Sequence, residues 1–161
     1  MAHIASSDAV VAIRSLPRRF TEVLSGPPGD DAWDRIVRAE TGSPPRSALA
    51  WAAAAGALMA GLADVLEALP HRSSPSLDLR DEAASSYRPD PATSVADVLA
   101  ALRAVATRAA DALAARRPED GERTVVVDGR PRPLDDVVSQ LVTEATGAIR
   151  RAAEAVEAAT R

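Results

Sequence analysis

The sequence predicts an all-α fold, a four-helix bundle with one long crossover connection. Three observations carry that expectation. Four long stretches repeat apolar residues at i, i+3, i+4 and i+7, the rhythm of helices with one face against a core. The apolar content leans heavily on Ala, with Leu and Val behind it. Ala is the best helix former, and its small side chain lets helices pack closely. Only Phe20, Trp33, Trp51 and Tyr87 are aromatic, which disfavours a β-sandwich. An isolated amphipathic helix is marginal in water, so the four stripes must bury one another.

The length, 161 residues, suits one domain spanning 1–161, with 1–6 as a loose tail. The formal net charge of −4 argues against nucleic acid, because phosphate binding needs a basic footprint. Every basic side chain other than histidine is Arg and none is Lys, a bias that composition of the genome explains as well as any need for guanidinium. There is no cysteine, hence no disulfide, thiol nucleophile or thiolate metal site. No basic, then apolar, then small-residue leader pattern opens the chain. The most apolar run, Ala48 to Ala63, is mostly Ala and Gly and reads as a core helix rather than a membrane span. The expectation is a cytoplasmic protein without membrane contact.

The elements follow in order. Ser6 or Ser7 caps a first helix with Asp8 in its first turn. Its stripe is Val10, Ile13, Leu16, Phe20, Val23 and Leu24, and Pro17 either kinks it or opens a second segment. Gly26 to Gly29 ends it. A short helix over Asp30 to Ala39 would put Trp33, Ile36 and Val37 on one face. A second long helix is expected after Ser43, with Pro44 and Pro45 in its first positions, running to Leu69 before Pro70. Gly56 and Gly61 inside it imply either close backbone approach or space left open. Pro70 to Thr93 is a long connection, with a candidate short helix at Leu79 to Tyr87.

Ser94 then starts a third long helix through a capping-box-like SVAD, ending near Arg117. Thr124 to Val127 followed by Asp128-Gly129 reads as a short hairpin or extended loop. The last helix, Pro133 to Arg161, is the clearest. Leu134, Val137, Val138, Leu141, Val142, Ala145, Ile149, Ala152 and Val156 mark its buried face. Asp135 and Asp136 lie where the helix dipole favours anions.

Few residues suggest chemistry. His3 lies in the tail and His71 in a loop, and neither has partners at ligand spacing. Glu144 lies close to the apolar stripe of the last helix. Such a carboxylate is either held by an arginine such as Arg103 or Arg108, or reaches water, or serves a pocket as ligand contact or general base. Trp51 is either a core side chain or the wall of a small-molecule pocket. Arg150 and Arg151, like Arg116 and Arg117, sit near helix C-termini, where the dipole alone favours cations; anion binding is the other reading. No catalytic triad, phosphate loop or nucleic-acid motif is present.

Three stretches, AIRSLPRRFTEVL, PPRSALAWAAAAGALMAGL and VDGRPRPLDDVVSQLVTEATGAIRRA, together resemble the DinB-like superfamily. The likeness is nearest to the metal-binding N-terminal domain of mycothiol-dependent maleylpyruvate isomerases, and it covers roughly Asp8 to Ala158. The resemblance implies the bundle and a divalent metal held by a His from the second long helix and, on the last, a Glu or His plus a His four residues later. Here those positions are Ala54, Glu144 and Ala148. One carboxylate is too few donors for a zinc site.

The resulting expectation is a bundle with a degenerate metal site and no cofactor. It binds a small apolar or anionic ligand in a central cavity lined by Trp51, Met59 and Glu144. Two alternatives stand beside it. One is a divergent thiol-dependent transferase or isomerase with Glu144 as catalytic base. The other is a structural bundle that forms a homodimer.

Overall fold

The computed structural model describes residues 3–27, 29–43, 45–79 and 90–161. Four long helices build it: α1 (Ser6–Leu24), α3 (Ala48–Ala68), α4 (Val95–Ala115) and α5 (Leu134–Thr160). A short α2 (Asp31–Arg38) joins the first two, and a 3-10 turn (Pro118–Glu122) follows α4. Three small strands complete the described chain: β1 (Ser76–Leu77), β2 (Thr124–Val127) and β3 (Arg130–Pro133). Around the bundle α3 packs on α4 and α5, and α1 on the same two, so α1 and α3 face each other across the diagonal. The fold is the all-α four-helix bundle that the sequence predicts.

Each stripe lands inside. Ile13, Leu16, Phe20 and Leu24 of α1, Leu99, Leu102 and Leu113 of α4, and Leu134, Val138, Leu141 and Ile149 of α5 belong to one continuous core. Helix α3 supplies its densest part, because Ala and Leu cover it on several sides: Ala52, Ala55, Met59, Leu62 and Ala63 have no exposed surface. Among the described residues α3 is the one helix long and apolar enough to cross a membrane, and 67% of its most apolar stretch is buried within the bundle.

Pro17 does not divide α1. The helix runs through it, and Thr21 Oγ1 donates to the Pro17 carbonyl at 2.7 Å. No side chain caps α1; Ser6 Oγ instead accepts from Arg116 at 2.6 Å. Helix α2 forms as expected, with Asp30 accepting the Ala32 and Trp33 N–H groups. Val37 is fully buried, while Trp33 and Ile36 are half-buried. Trp33 Nε1 donates to the Leu24 carbonyl at 2.7 Å, which locks α2 against the end of α1.

The start of α3 is displaced from the expected one. Thr41 and Arg46 pair as an isolated β-bridge, and Ser47 is the N-cap, its hydroxyl accepting the Ala50 N–H at 3.0 Å. Pro45 therefore lies before the helix rather than in its first turn, and Pro44 lies outside the described residues. Gly56 is explained by space: a Cβ there would meet only Leu102 Cδ1, at 3.9 Å. It lines an open cleft of about 420 Å³ between α3 and α4, with Ala53, Ala57, Ala60, Asp97 and Val105.

The tail is docked from its third residue. His3 Nε2 meets Asp136, and the Ile4 N–H donates to Ser139 Oγ at 3.0 Å. His3, exposed as expected, and Ile4 thus meet α5, where Ser139 is a buried hydroxyl that needs a partner, and the first two residues of the expected tail lie outside the described residues.

The long connection contributes β1, which pairs parallel to β2, while β2 and β3 form the expected hairpin. Its turn is Asp128-Gly129, with φ of 50° and 81°, the left-handed conformations that a two-residue turn requires. Asp128 Oδ1 also accepts the Leu79 N–H at 2.8 Å, and Leu79 is buried. The candidate helix at Leu79 to Tyr87 lies, beyond Leu79 itself, outside the described residues.

Candidate functional site at the α3–α5 edge

Helices α3 and α5 run antiparallel. Trp51, in the first turn of α3, meets Arg151 near the far end of α5. At the other end, Arg123 donates to the Leu69 carbonyl after α3, and its own carbonyl accepts the N–H of Leu134, where α5 begins. One turn inward from the Trp51–Arg151 contact lie Ala54 on α3 and Ala148 on α5. Both are buried, at 7% and 3% exposure, on helices that pack against each other.

Trp51 is half-buried against the core. Two guanidinium groups stack on it: the Arg46 carbon lies 4.4 Å from the indole centroid and the Arg151 carbon 4.9 Å. Arg46 is placed by the Thr41 bridge and is itself buried. Burial first, and the neighbouring Arg151 charge second, lower the Arg46 pKa. Arg151 is exposed on α5. The geometry is that of a paired cation–π contact on one ring.

Glu144 is not the buried carboxylate that its position suggests. It is exposed, and Gln140 Nε2 donates to its Oε1 at 3.0 Å. Gln140 in turn accepts from Arg132. Neither Arg103 nor Arg108 holds it; Arg108 is occupied by Glu67 and Asp64. The physical reason is angular. The buried face of α5 centres on Leu141, Val142, Ala145 and Ile149, and Glu144 stands on its border. Glu144 and Arg151 are two turns apart, about 10 Å along the axis, so the structure does not bring Glu144 to the Trp51 ring.

Of the three expected lining residues, Met59 has no exposed surface and is packed in the core, Trp51 is half-buried and Glu144 is exposed. His71 lies exposed in the turn after α3. Among the described residues no group of three or more His, Asp or Glu side chains is placed to hold a metal ion.

Sequence reasoning singled out Arg151, with anion binding as one of its readings, but missed Arg46 and the meeting of both arginines on Trp51. Arg46 stands close to Trp51 in the chain, but Arg151 is contributed by another helix, and only the antiparallel packing joins them. The one signal available was an arginine on α5 with no acidic residue four positions away on either side: Gly147 and Ala155 occupy those places.

No known family's sequence profile matches the chain. No curated protein matches it either. Among solved structures it is similar to YfiT from Bacillus subtilis, described as "a probable metal-dependent hydrolase with an unusual four-helix bundle topology". The TM-score is 0.78 over 98% of this chain and 91% of that one, at 12% identity. The likeness is one of fold.

Proposed function

We propose that this chain is a DinB-like bundle, of the branch that includes the mycothiol-dependent maleylpyruvate isomerase N-terminal domain, in which metal chemistry has lapsed. It acts in the cytoplasm as a binding protein for a small organic ligand at the α3–α5 edge. The observation that carries this reading is the pair Ala54 and Ala148. They occupy the positions where the resemblance places two imidazole ligands, and both are buried methyl groups without a donor atom. Glu144 alone offers a carboxylate, and one oxygen donor is too few for a structural or catalytic zinc site. The description of YfiT as metal-dependent is the competing reading for this fold. The alanines weigh against carrying it over.

Elemental mass spectrometry on protein purified without a histidine tag tests this. The expected result is no stoichiometric zinc, nickel or manganese. A near-stoichiometric divalent metal would overturn the reading and place the ligands elsewhere in the chain.

A second reading has one observation in its favour. The Arg132–Gln140–Glu144 chain of hydrogen bonds fixes an exposed carboxylate beside the edge, as a general base in a thiol-dependent transferase or isomerase would need. Glu144→Gln preserves the shape and removes the base. Unchanged turnover of a thiol adduct in that variant would dismiss it.

A further inference from the structure

We propose that Arg151 and Arg46, stacked on Trp51, form a site for a small oxyanion, a carboxylate or a phosphate monoester. This rests on the reading of the α3–α5 edge as a ligand site without metal. The proposal starts from what Arg151 lacks. Four arginines pair with a carboxylate four residues away, Arg18 with Glu22, Arg38 with Asp34, Arg150 with Glu154 and Arg161 with Glu157, while the exposed Arg103 on α4, like Arg151, has no such partner among the described residues. Arg151 pairs with no carboxylate among the described residues, and its only side-chain contact described there is the indole.

The second half of the argument is electrostatic. Two like charges share one ring, and burial together with the Arg151 charge disfavours the charged form of Arg46. Arg46 has a further interaction of its own, so it is a held cation rather than a loose one. Trp51 stands in the first turn of α3, whose N-terminus adds partial positive charge at the same end. An oxyanion beside the ring would be attracted by both guanidiniums and by this dipole. Guanidinium presents its N–H groups as a planar fork that matches two oxygens of a carboxylate or phosphate. The indole supplies an apolar face for whatever carbon skeleton carries the anion. Arg151 is exposed, so the fork is open to solvent and to a ligand.

The test follows the Trp51 indole N–H signal by two-dimensional NMR, with Trp33→Phe identifying which of the two indole signals it is. The protein is titrated separately with inorganic phosphate, benzoate and the uncharged benzamide. A saturable shift of the Trp51 signal with phosphate alone assigns a phosphate-type ligand, and with benzoate alone a carboxylate. Both shifting supports the shared chemistry, and benzamide is expected to leave the signal in place. Arg151→Gln is expected to weaken binding by about tenfold, the loss of one charge-assisted fork, with an unchanged thermal midpoint. No shift with either oxyanion, an equal shift with benzamide, or unaltered binding in Arg151→Gln would overturn the proposal. The titration uses protein of measured metal content, so that bound metal defeats the functional reading above and a flat titration of metal-free protein defeats only the oxyanion site.

Discussion

Arg116, one residue beyond α4, reaches Asp135 in the first turn of α5, with Nη2 and Oδ1 2.6 Å apart. The guanidinium is 91% buried by side-chain area and also donates to Ser6 at the start of α1, so one side chain ties three helices at this end of the bundle. Gly121, in the 3-10 turn between α4 and β2, lies against the same carboxylate; a Cβ there would overlap it. Asp135→Ala leaves a buried cation without its partner and is expected to cost about 2 kcal/mol, less than a fully buried pair because Asp135 is partly exposed. Gly121→Ala forces the carboxylate away from Arg116 and is expected to cost about 1–2 kcal/mol in the natural sequence. In the Asp135→Ala background that cost should largely vanish. Urea unfolding of the four proteins measures this, and additive losses would show that Gly121 acts through something other than Asp135.

Two serine caps make a matched comparison. Ser47 accepts the N–H of Ala50, which is 3% exposed, whereas Ser94 accepts the N–H of the exposed Asp97. Water can replace the second hydroxyl but not the first. Ser47→Ala should cost about 1–2 kcal/mol and Ser94→Ala about 0.5 kcal/mol, seen as unequal falls in the urea midpoint. Equal losses would mean that solvent access does not set the cost of these caps.

The contrast between Glu144 and Ser139 shows where the sequence is legible and where it is not. The stripes on α1, α4 and α5 were readable because burial follows the helical period, and nearly every predicted stripe residue lies in the core. Ser139 is buried because a segment far away in the chain, at Ile4, brings it an N–H, and Glu144 is exposed because it stands a fraction of a turn off the stripe. The first does not follow from local pattern, and the second turns on an angular offset small enough to be misread. Local pattern is equally silent on the start of α3, which the Thr41–Arg46 bridge delays to Ala48, and on β1, two residues long and recognisable only through its pairing with β2. Trp51 was read as either a core side chain or a pocket wall, and it packs half-buried against the core. The meeting of its two arginines was not legible, because they arrive from a loop and from another helix.

The surface cluster Arg108, Glu67 and Asp64 predicts an acid-side dependence. The hydrogen bond from Arg108, Nε to Oε1 at 2.7 Å, holds the Glu67 carboxyl below its ordinary 4.5. A carboxyl depressed in the folded state adds stability above its unfolded pKa and loses it as pH falls through the folded one. The contribution is therefore present at pH 7 and fades below about 4.5. Arg108→Gln should lower the thermal midpoint slightly at pH 7 and converge with the natural protein in acid. The gap should also shrink in about 1 M salt, since both side chains are exposed. A gap that persists unchanged into acid would mean that Arg108 stabilises through packing of its stem.

The proposal that Ala54 and Ala148 stand at former ligand positions can be tested by giving both positions donors. Ala54 and Ala148 lie on facing, antiparallel helices, and Glu144 stands four residues before Ala148 on the same side of α5. If these are the three ligand positions, Ala54→His with Ala148→His completes a His, Glu and His set without moving the backbone far. Two imidazoles in a closed contact overpack it, so the metal-free double variant should lose about 1–3 kcal/mol. Zinc should restore that loss, because a metal that binds only the folded state stabilises it by mass action. The expected outcome is a thermal midpoint that falls in chelator and recovers with zinc, together with one bound metal per chain. Each single variant should show the fall without the recovery. Adding Glu144→Gln to the pair should weaken zinc binding, since it removes the third donor. A double variant that ignores zinc would mean that Ala54, Glu144 and Ala148 do not converge, and the proposal that they are former ligand positions would fall.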